Sequence, residues 1–139
     1  MSYFTHKDVV VTGGASFIGS HLVDELVRQG AYVTVLDNFS SGKHENLKQR
    51  SVDIKIVDAY ITPEIANHYF YDQDIVFHLA ADHGGRGYVD THQVECASNL
   101  ALDNIVFQAA MRQGVGKVVY ASSGCVYPKY LQKNHKKKI

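Results

Sequence analysis

Residues 8–37, DVVVTGGASFIGSHLVDELVRQGAYVTVLD, contain the pattern that decides the fold. They open with a β-branched run from Asp8 to Thr12 that stops at two consecutive glycines, which is typical of a buried strand ending in a tight turn. A second apolar run, Tyr32 to Leu36, has the same character and ends at Asp37. The residues between the two runs have helical periodicity, so the stretch predicts a β-α-β unit.

The helix predicted inside this unit has one apolar face and ends at a glycine. Gly30 stands where a C-terminal cap belongs, directly after the last turn of the pattern. The residues expected on the buried face of this helix are Ile18, Leu22, Val23, Leu26 and Val27.

Strands and helices continue to alternate along the rest of the patterned sequence. Further strands are predicted at Asp53 to Val57, Asp74 to Leu79 and Lys117 to Ala121, and a short helix from Pro63 to Tyr71 is opened by Thr62. Strands with little polar alternation, separated by helices, predict an α/β fold with a doubly wound parallel sheet of about five strands and helices on both faces. A longer helix ends at Gly114, with an apolar stripe of Ala97, Ala101, Leu102, Ile105, Val106, Ala109 and Ala110.

Length and charge limit the classes of function. The 139 residues, 45% of them hydrophobic, predict one compact domain, at residues 1–128, followed by a basic, solvated tail at 129–139. The 14 basic and 14 acidic side chains cancel, which argues against nucleic acid or a membrane surface as partner and favours a small molecule. No apolar run approaches the roughly 20 residues that span a bilayer, and no signal peptide is evident, so a cytoplasmic location is expected.

Neither the cysteines nor the histidines form a metal-binding pattern. Cys96 and Cys125 fall in no ligand spacing and predict no disulfide scaffold. His78 and His83 are close in sequence, but a strand residue and a loop residue are the better interpretation of the pair. We therefore expect no metal site.

The turn TGGASFIG is the first candidate binding element. The phosphates of a dinucleotide bind backbone N–H groups at a helix N-terminus, and the backbone can approach them closely only where side chains are absent. Gly13, Gly14 and Gly19 are expected to supply the tight turn and the close packing of helix on strand.

Asp37 is the second candidate element. It lies 18 residues beyond Gly19, at the end of the second strand, where a carboxylate accepts hydrogen bonds from an adenosine ribose diol. The same carboxylate repels a 2′-phosphate, so NAD is favoured over NADP, although Lys43 nearby argues mildly the other way. A strand, a glycine-rich turn opening a helix, and this acid together predict a nucleotide site.

Four stretches of the sequence, in order, resemble one known family. TGGASFIGSHLVDELV, DNFSSGKHENL, HLAAD and YASSGCVYP resemble the successive motifs of extended short-chain dehydrogenases that epimerise or dehydrate nucleotide sugars. The similarity extends from about Asp8 to Pro128. Within the family, AADHGGRGYVDTH and the cysteine of SSGCVYP look most like the GDP-mannose 3,5-epimerases.

This resemblance implies a Rossmann fold, NAD as cofactor, a nucleotide-diphosphate sugar as substrate and a homodimer, since family members are commonly dimers. It also implies roles for individual residues. Ser123 matches the hydrogen-bond partner of the reacting sugar hydroxyl, and Cys125 a proton donor in catalysis. The pyrophosphate would be held by Gly13, Gly14, Ser16, Phe17, Ile18 and Gly19; the ribose by Asp37, Asn38 and Ser40; the adenine by Asp58 and Ala59; the nicotinamide side by Leu79, Ala80 and Ala81, with Ser122 nearby; and the sugar by Gly84, Gly85 and Arg86.

The sequence departs from the family pattern in two places. Ser16 stands where the family usually has the middle glycine of GxxGxxG, and we expect its hydroxyl to donate to a phosphate oxygen. The second departure concerns the family's catalytic Tyr-x-x-x-Lys, which comes a couple of dozen residues after the serine pair. The present sequence ends first, truncated before the substrate domain, and Tyr120, Tyr127 and Tyr130 have no lysine four positions on. The chain is expected to bind cofactor and to do little chemistry.

Several residues keep a plain alternative. Cys125 is a proton donor or a small buried hydrophobe, Ser122 and Ser123 are site residues or turn formers, and Arg86 clamps a phosphate or points to solvent. Asp82 and His83 stay unassigned. The alternatives to a nucleotide-sugar epimerase are a stand-alone NAD-binding module that senses redox state or regulates a partner, and a degenerate product without a stable fold.

Overall fold

The computed structural model describes residues 1–47, 54–84 and 86–123, of which Arg86 is described without its side chain. Strands and helices alternate through these residues. The strands are β1 Asp8–Thr12, β2 Tyr32–Asp37, β3 Ile54–Asp58, β4 Ile75–His78 and β5 Lys117–Tyr120, and the helices are α1 Phe17–Arg28, α2 Pro63–Phe70, α3 Arg86–Thr91, α4 Gln93–Arg112 and a 3₁₀ helix, His44–Asn46.

All five strands belong to one parallel sheet in the order β3-β2-β1-β4-β5. The last residue of β1, Thr12, lies opposite Leu36 of β2 on one side and His78 of β4 on the other. The sheet is therefore wound in both directions from β1, and the doubly wound α/β fold predicted from the sequence is confirmed. The carboxyl ends of the strands meet at one edge, with a change of winding direction between β1 and β4.

The sheet is covered on both faces because its central strands are apolar on both sides. In β1, Val9 and Val11 pack toward α1, whereas Val10 packs toward α2 and α4. The two buried clusters account for the continuous β-branched run of the sequence. They comprise Val9, Val11, Val23, Leu26, Val33 and Val35 with their neighbours on one face, and Val10, Leu36, Phe70, Val76, Val106 and Ala109 with theirs on the other.

The caps of the helices follow the sequence signals. Gly30 has φ +86 and Gly114 has φ +68, the left-handed conformation that terminates α1 and α4. The amide of the residue after each glycine donates back into the helix, from Ala31 to Leu26 O and from Val115 to Ala110 O. Thr62 accepts from Ile65 N at the start of α2, as predicted.

Two expected helix faces are partly wrong. Ile18 is 70% exposed, because the first turn of α1 packs inward through Gly19 and Ser20 instead. Ala97 and Ala101 of α4 are also exposed, whereas the second half of that helix buries Val106, Ala109 and Ala110 as predicted. The first half of α4 extends past the strands toward the carboxyl edge of the sheet, so its inward face is not covered by apolar core.

Some features were not predicted. The 3₁₀ helix and α3 lie in segments without helical periodicity, and predicted strand and helix ends differ from the observed ones by one residue. No described helix, α4 included, is long and apolar enough to cross a membrane. Gly85, Cys125 and the proposed tail at 129–139 lie outside the described residues.

Candidate functional site

A cavity of about 630 Å³ opens at the carboxyl edge of the sheet. Its walls are the segments that follow β1, β2, β3 and β4, together with the first half of α4. This is the position at which doubly wound sheets bind ligands. The lining residues are Gly13, Ser16, Asp37, Asn38, Ser40, Ser41, Ala59, Tyr60, Ile61, Leu79, Ala80, Ala81, Asp82, His83, Tyr88, Ser98, Asn99, Leu102 and Ile105.

The turn after β1 leaves no room for side chains. Gly13 has φ +70, and a Cβ on it would come within 2.8 Å of the Ala80 amide nitrogen. A Cβ on Gly19 would overlap the carbonyl oxygen of Gly13 and lie 2.8 Å from Gly14 Cα. These glycines therefore form the tight turn and the close helix packing that the sequence predicted, and the floor of the cavity is bare backbone.

Ser16 is the N-cap of α1. Its hydroxyl donates to Gly13 O at 2.7 Å and accepts from Gly19 N at 3.2 Å. The turn carbonyl and the helix end are thus the protein partners of this hydroxyl. Its donation to a phosphate oxygen stays a prediction. Ser16 still lines the cavity, so its Cβ borders any bound group.

The cavity has little positive side-chain charge of its own. The described lining residues include the carboxylates of Asp37 and Asp82 but no lysine or arginine. The positive end of the α1 dipole is the remaining attraction for an anion, and the first turn of α1 has no acidic residue to oppose it. This wall of the cavity thus suits a pyrophosphate.

Asp37 is buried at the end of β2, with 7% of its surface exposed. One carboxylate oxygen accepts from Ala15 N and the other from Phe39 N, both at 2.9 Å. The carboxylate therefore joins the loop after β2 to the turn after β1. A carboxylate offers about four acceptor positions, and these two bonds leave two of them for the hydroxyls of a ribose.

The loop after β2 closes over the turn through contacts that sequence reasoning missed. Asn46 donates its side-chain amide to Ala15 O at 2.8 Å, and Lys43 N donates to the same oxygen at 3.1 Å. A Cβ on Gly42 would lie 2.8 Å from Ala15 Cβ. Gly42 and Asn46 stand within DNFSSGKHENL, so the signal for them was the motif itself rather than any spacing.

A second group of polar residues lies beyond β4. Asn99 of α4 accepts from Asp82 N at 2.7 Å and donates to Asp82 O at 2.8 Å, which fixes the loop to the helix. Tyr88 donates to the Asp82 carboxylate at 2.7 Å, and this bond raises the pKa of Tyr88 to about 12. A Cβ on Gly84 would meet the Tyr88 ring. These residues shape the end of the cavity nearest α3, and the sequence did not single out Asn99 or Tyr88.

The residues predicted for the site have several placements. Asp58 is the last residue of β3, and Ser122 and Ser123 follow the end of β5 at Tyr120, but none of the three is among the lining residues. The other described residues that do not line the cavity are Gly14 in the turn after β1, Gly19 in the first turn of α1, Gly84 after β4 and Arg86 at the start of α3. Phe17 and Ile18 present exposed side chains at the start of α1. The predicted residues that line the cavity are Gly13, Ser16, Asp37, Asn38, Ser40, Ala59, Leu79, Ala80 and Ala81.

The two histidines that are close in sequence have separate places. His78 is a buried residue of β4, and His83 lies in the following loop, as expected. Among the residues that the structure describes, no group of three or more His, Cys, Asp or Glu side chains is arranged to hold a metal ion.

Comparison with protein families gives one matching model for most of the sequence. The model described as the NAD dependent epimerase/dehydratase family matches residues 9–139. A UDP-N-acetyl-alpha-D-glucosaminuronate decarboxylase of Bacillus cytotoxicus is 38% identical over 124 residues, covering 88% of this chain and 38% of the relative. GDP-mannose 3,5-epimerase 1 of Oryza sativa subsp. indica is 32% identical over 132 residues, covering 89% of this chain and 32% of the relative.

Solved structures agree with the sequence relatives. The UDP-N-acetylglucosamine 4-epimerase of Methanobrevibacter ruminantium, solved in complex with UDP-N-acetylmuramic acid, superposes with a TM-score of 0.81 and 34% identity. The match covers 97% of this chain and 42% of that structure. The chain thus spans well under half the length of the proteins that it matches.

Proposed function

The chain belongs to the NAD-dependent epimerase/dehydratase family, and from this membership we propose that it is the NAD-binding portion of a nucleotide-sugar epimerase. The observation that carries the proposal is the cradle after β1. Gly13 and Gly19 admit no Cβ there, α1 presents its N-terminus, and the cavity continues on both sides of the turn. A dinucleotide has the matching shape, with a charged centre and a base at each end.

The described residues divide the cofactor among them. The Gly13–Gly19 turn holds the pyrophosphate, with the backbone amides of Phe17 and Ile18 at the start of α1 as donors. Asp37 with Asn38 and Ser40 holds the adenosine ribose, and the segments after β3 and β4 hold the two bases. Bound there, NAD supplies a hydride acceptor for transient oxidation of a sugar carbon. Asp58 and Ala59 contact the adenine in this arrangement, and Leu79, Ala80 and Ala81 face the nicotinamide.

The proposed substrate is a nucleotide-diphosphate sugar. Its sugar would lie beyond Ala81, where Asp82, His83 and Tyr88 line the cavity. In the proposal, Gly84, Gly85 and Arg86 face this sugar, Ser123 hydrogen-bonds its reacting hydroxyl, and Cys125 is a proton donor.

These 139 residues do not suffice for turnover in the proposal, because Tyr120, Tyr127 and Tyr130 have no lysine four positions later. Tyr3 has Lys7 at that spacing, but both residues precede β1, at the opposite end of the sheet from the cavity, and Lys7 pairs with Asp74. An unperturbed tyrosine titrates at about 10, too high to accept the hydroxyl proton near neutral pH. Of the described tyrosines, Tyr88 and Tyr120 have pKa values raised by bonds to Asp82 and Asp103, the opposite of what a base requires. General acid–base catalysis is worth roughly 10² to 10⁴-fold, and substrate positioning adds to that loss.

An activity assay tests the proposal. GDP-mannose and UDP-glucose are incubated with NAD and either the 139-residue polypeptide or a polypeptide extended through the next two hundred or so codons. We expect the extended polypeptide to epimerise a substrate and the 139-residue polypeptide to be inactive. Ser123→Ala in the extended polypeptide should reduce turnover without changing NAD affinity. Turnover by the short polypeptide would contradict the assignment of the base.

The alternative is a stand-alone NAD-binding module that senses redox state or regulates a partner. The observation that favours it is that Tyr120, Tyr127 and Tyr130, near and after the serine pair, have no lysine four positions later. The DNA immediately downstream distinguishes the two. A reading frame that encodes Tyr-x-x-x-Lys supports the epimerase, and its absence supports the module.

A further inference from the structure

A chain of hydrogen bonds, buried at Thr12 and His78 and reaching the surface at Tyr120, crosses the sheet beneath the cavity. Thr12 Oγ1 lies 2.7 Å from His78 Nδ1, and His78 Nε2 lies 3.0 Å from a carboxylate oxygen of Asp103. The other Asp103 oxygen accepts from the Tyr120 hydroxyl at 2.8 Å. The four residues belong to β1, β4, α4 and β5, so the chain connects the two strands at the change of winding direction to α4 and β5.

The hydrogens of this chain can be assigned from its end at Thr12. The Thr12 oxygen accepts from the backbone amides of Leu79 and Ala80, each at 3.2 Å. The Leu79 amide is shared with the Thr12 carbonyl oxygen at 3.1 Å, whereas Ala80 N has Thr12 Oγ1 as its partner. With these amides on its lone pairs, the hydroxyl is placed to donate its own hydrogen to His78 Nδ1. The imidazole is then neutral, with its hydrogen on Nε2 donated to Asp103.

Burial agrees with this neutral tautomer. His78 is 1% exposed, and burial lowers its pKa below the usual value although the Asp103 carboxylate acts in the opposite direction. A second hydrogen on Nδ1 would face the Thr12 hydroxyl. That hydroxyl would have to turn and give up one of the two amides that it holds.

The amide at the end of the chain borders the proposed cofactor. Ala80 lines the cavity, and its nitrogen lies where a Cβ on Gly13 would come within 2.8 Å. Its bond to Thr12 Oγ1 holds the segment after β4 against the turn after β1. The spacing of these two segments sets the room for the nicotinamide end of a dinucleotide, whereas the adenosine end lies across β2 and β3.

We propose that Thr12, His78 and Asp103 are positioning residues that hold Leu79 and Ala80 as the wall for the nicotinamide, an inference that rests on the proposed function. None of the three is among the cavity-lining residues, so each acts through the backbone that it holds. The neutral His78 connects Thr12 to Asp103, because it accepts a hydrogen bond from the Thr12 hydroxyl and donates one to the Asp103 carboxylate. These two bonds fix the orientation of the Thr12 hydroxyl toward Leu79 and Ala80.

Binding of two ligands tests the proposal. ADP has the adenosine and pyrophosphate but no nicotinamide, so it serves as the internal reference for NAD. Thr12→Val keeps the shape and removes the hydroxyl, and Thr12→Ser restores a hydroxyl. We expect Thr12→Val to weaken NAD binding by roughly three- to tenfold relative to ADP, the loss expected for one hydrogen bond, and Thr12→Ser to recover most of it.

Equal effects of Thr12→Val on NAD and ADP, or no effect on either, would overturn the proposal. Wild-type protein that binds neither ligand would instead overturn the proposed function.

Histidine ¹⁵N spectra of the wild-type chain at pH 7 test the chain of hydrogen bonds directly. The His78 signals are assigned by their loss in His78→Gln. This measurement needs no ligand, and it does not require any Thr12 variant to fold. We expect the hydrogen on Nε2 only. A hydrogen on Nδ1, on both nitrogens or exchanging between them contradicts the assignment.

Discussion

At the scale of the residue, a side chain can have the predicted position and an additional partner. Ser16 lies in the predicted turn, and its hydroxyl donates to Gly13 O and accepts from Gly19 N beside the predicted, untested bond to a phosphate. The sequence identifies the missing glycine, whereas the choice between a helix cap and a ligand depends on distances that only the fold sets. Asp37 is similar, since its bonds to Ala15 N and Phe39 N give it a structural role beside the predicted one.

The variants Ser16→Gly and Ser16→Ala separate two effects of Ser16, the capping of α1 by its hydroxyl and the crowding of a bound pyrophosphate by its Cβ. Glycine is a tolerated N-cap that costs a few tenths of a kcal/mol, whereas alanine costs about 1 kcal/mol. Glycine also removes the Cβ that borders the cavity, so Ser16→Gly should bind NAD as well as wild type or better. Titration calorimetry and thermal melts check both effects. A large loss of NAD affinity in Ser16→Gly would show that the hydroxyl is an essential ligand.

His78 should make stability depend on pH. Burial lowers its folded-state pKa, so near and below pH 6.5, where an unfolded histidine charges, the unfolded state binds more protons. Stability should therefore be lost as pH falls from 7 to 5, by at most about 1.4 kcal/mol per pH unit from this residue. Among described groups, Asp103 and Tyr120 are the titratable side chains that face the imidazole.

The comparison uses His78→Gln and the exposed histidine variant His68→Gln. Urea unfolding at several pH values should give a shallower decline for His78→Gln than for wild type, with His68→Gln matching wild type. Identical slopes for all three proteins would show that His78 charges in the folded state as readily as in the unfolded one.

At the scale of the element, the periodicity of apolar residues predicted the buried faces of those strands and helices that pack within or against the sheet. The strands and the second half of α4 match the prediction because their neighbours are apolar on the expected side. The first half of α4 extends beyond the sheet, so Ser98 and Asn99 face the cavity. Ala97 and Ala101 of the predicted stripe are exposed there. The caps at Gly30 and Gly114 were predictable because a positive φ demands a particular residue.

The packing of α1 on its turn should not tolerate a methyl group. An added Cβ at Gly19 meets the backbone of Gly13 and Gly14, which cannot move without opening the turn. Gly19→Ala should cost at least about 1 to 3 kcal/mol of unfolding free energy and most NAD binding. Gly87→Ala in α3 meets nothing within 4 Å and serves as the matched control, with a gain of about 0.5 to 1 kcal/mol expected. Equal stability of the two variants in urea unfolding would contradict this packing.

At the scale of the whole molecule, the sequence predicted a doubly wound parallel sheet and a candidate site at the carboxyl ends of its strands. A strand, a glycine turn and an acid at the end of the next strand suffice for that, since parallel strands bring their carboxyl ends together. The Asp82–Asn99 and Thr12–His78–Asp103 contacts join residues 17 to 66 positions apart. No periodicity encodes such pairs, so they required the folded arrangement.

Calorimetric titration of the 139-residue chain with NAD and with NADP tests most directly whether it carries a dinucleotide site selective for NAD. We predict saturable binding of NAD and weaker binding of NADP, because the Asp37 carboxylate repels a 2′-phosphate. Asp37→Ala should weaken NAD binding by about 1.5 to 3 kcal/mol, the value of hydrogen bonds to a charged group, while Glu95→Ala, at an exposed site on α4, should not. NADP binding as tight as NAD binding, or no saturable binding of either, would contradict the account.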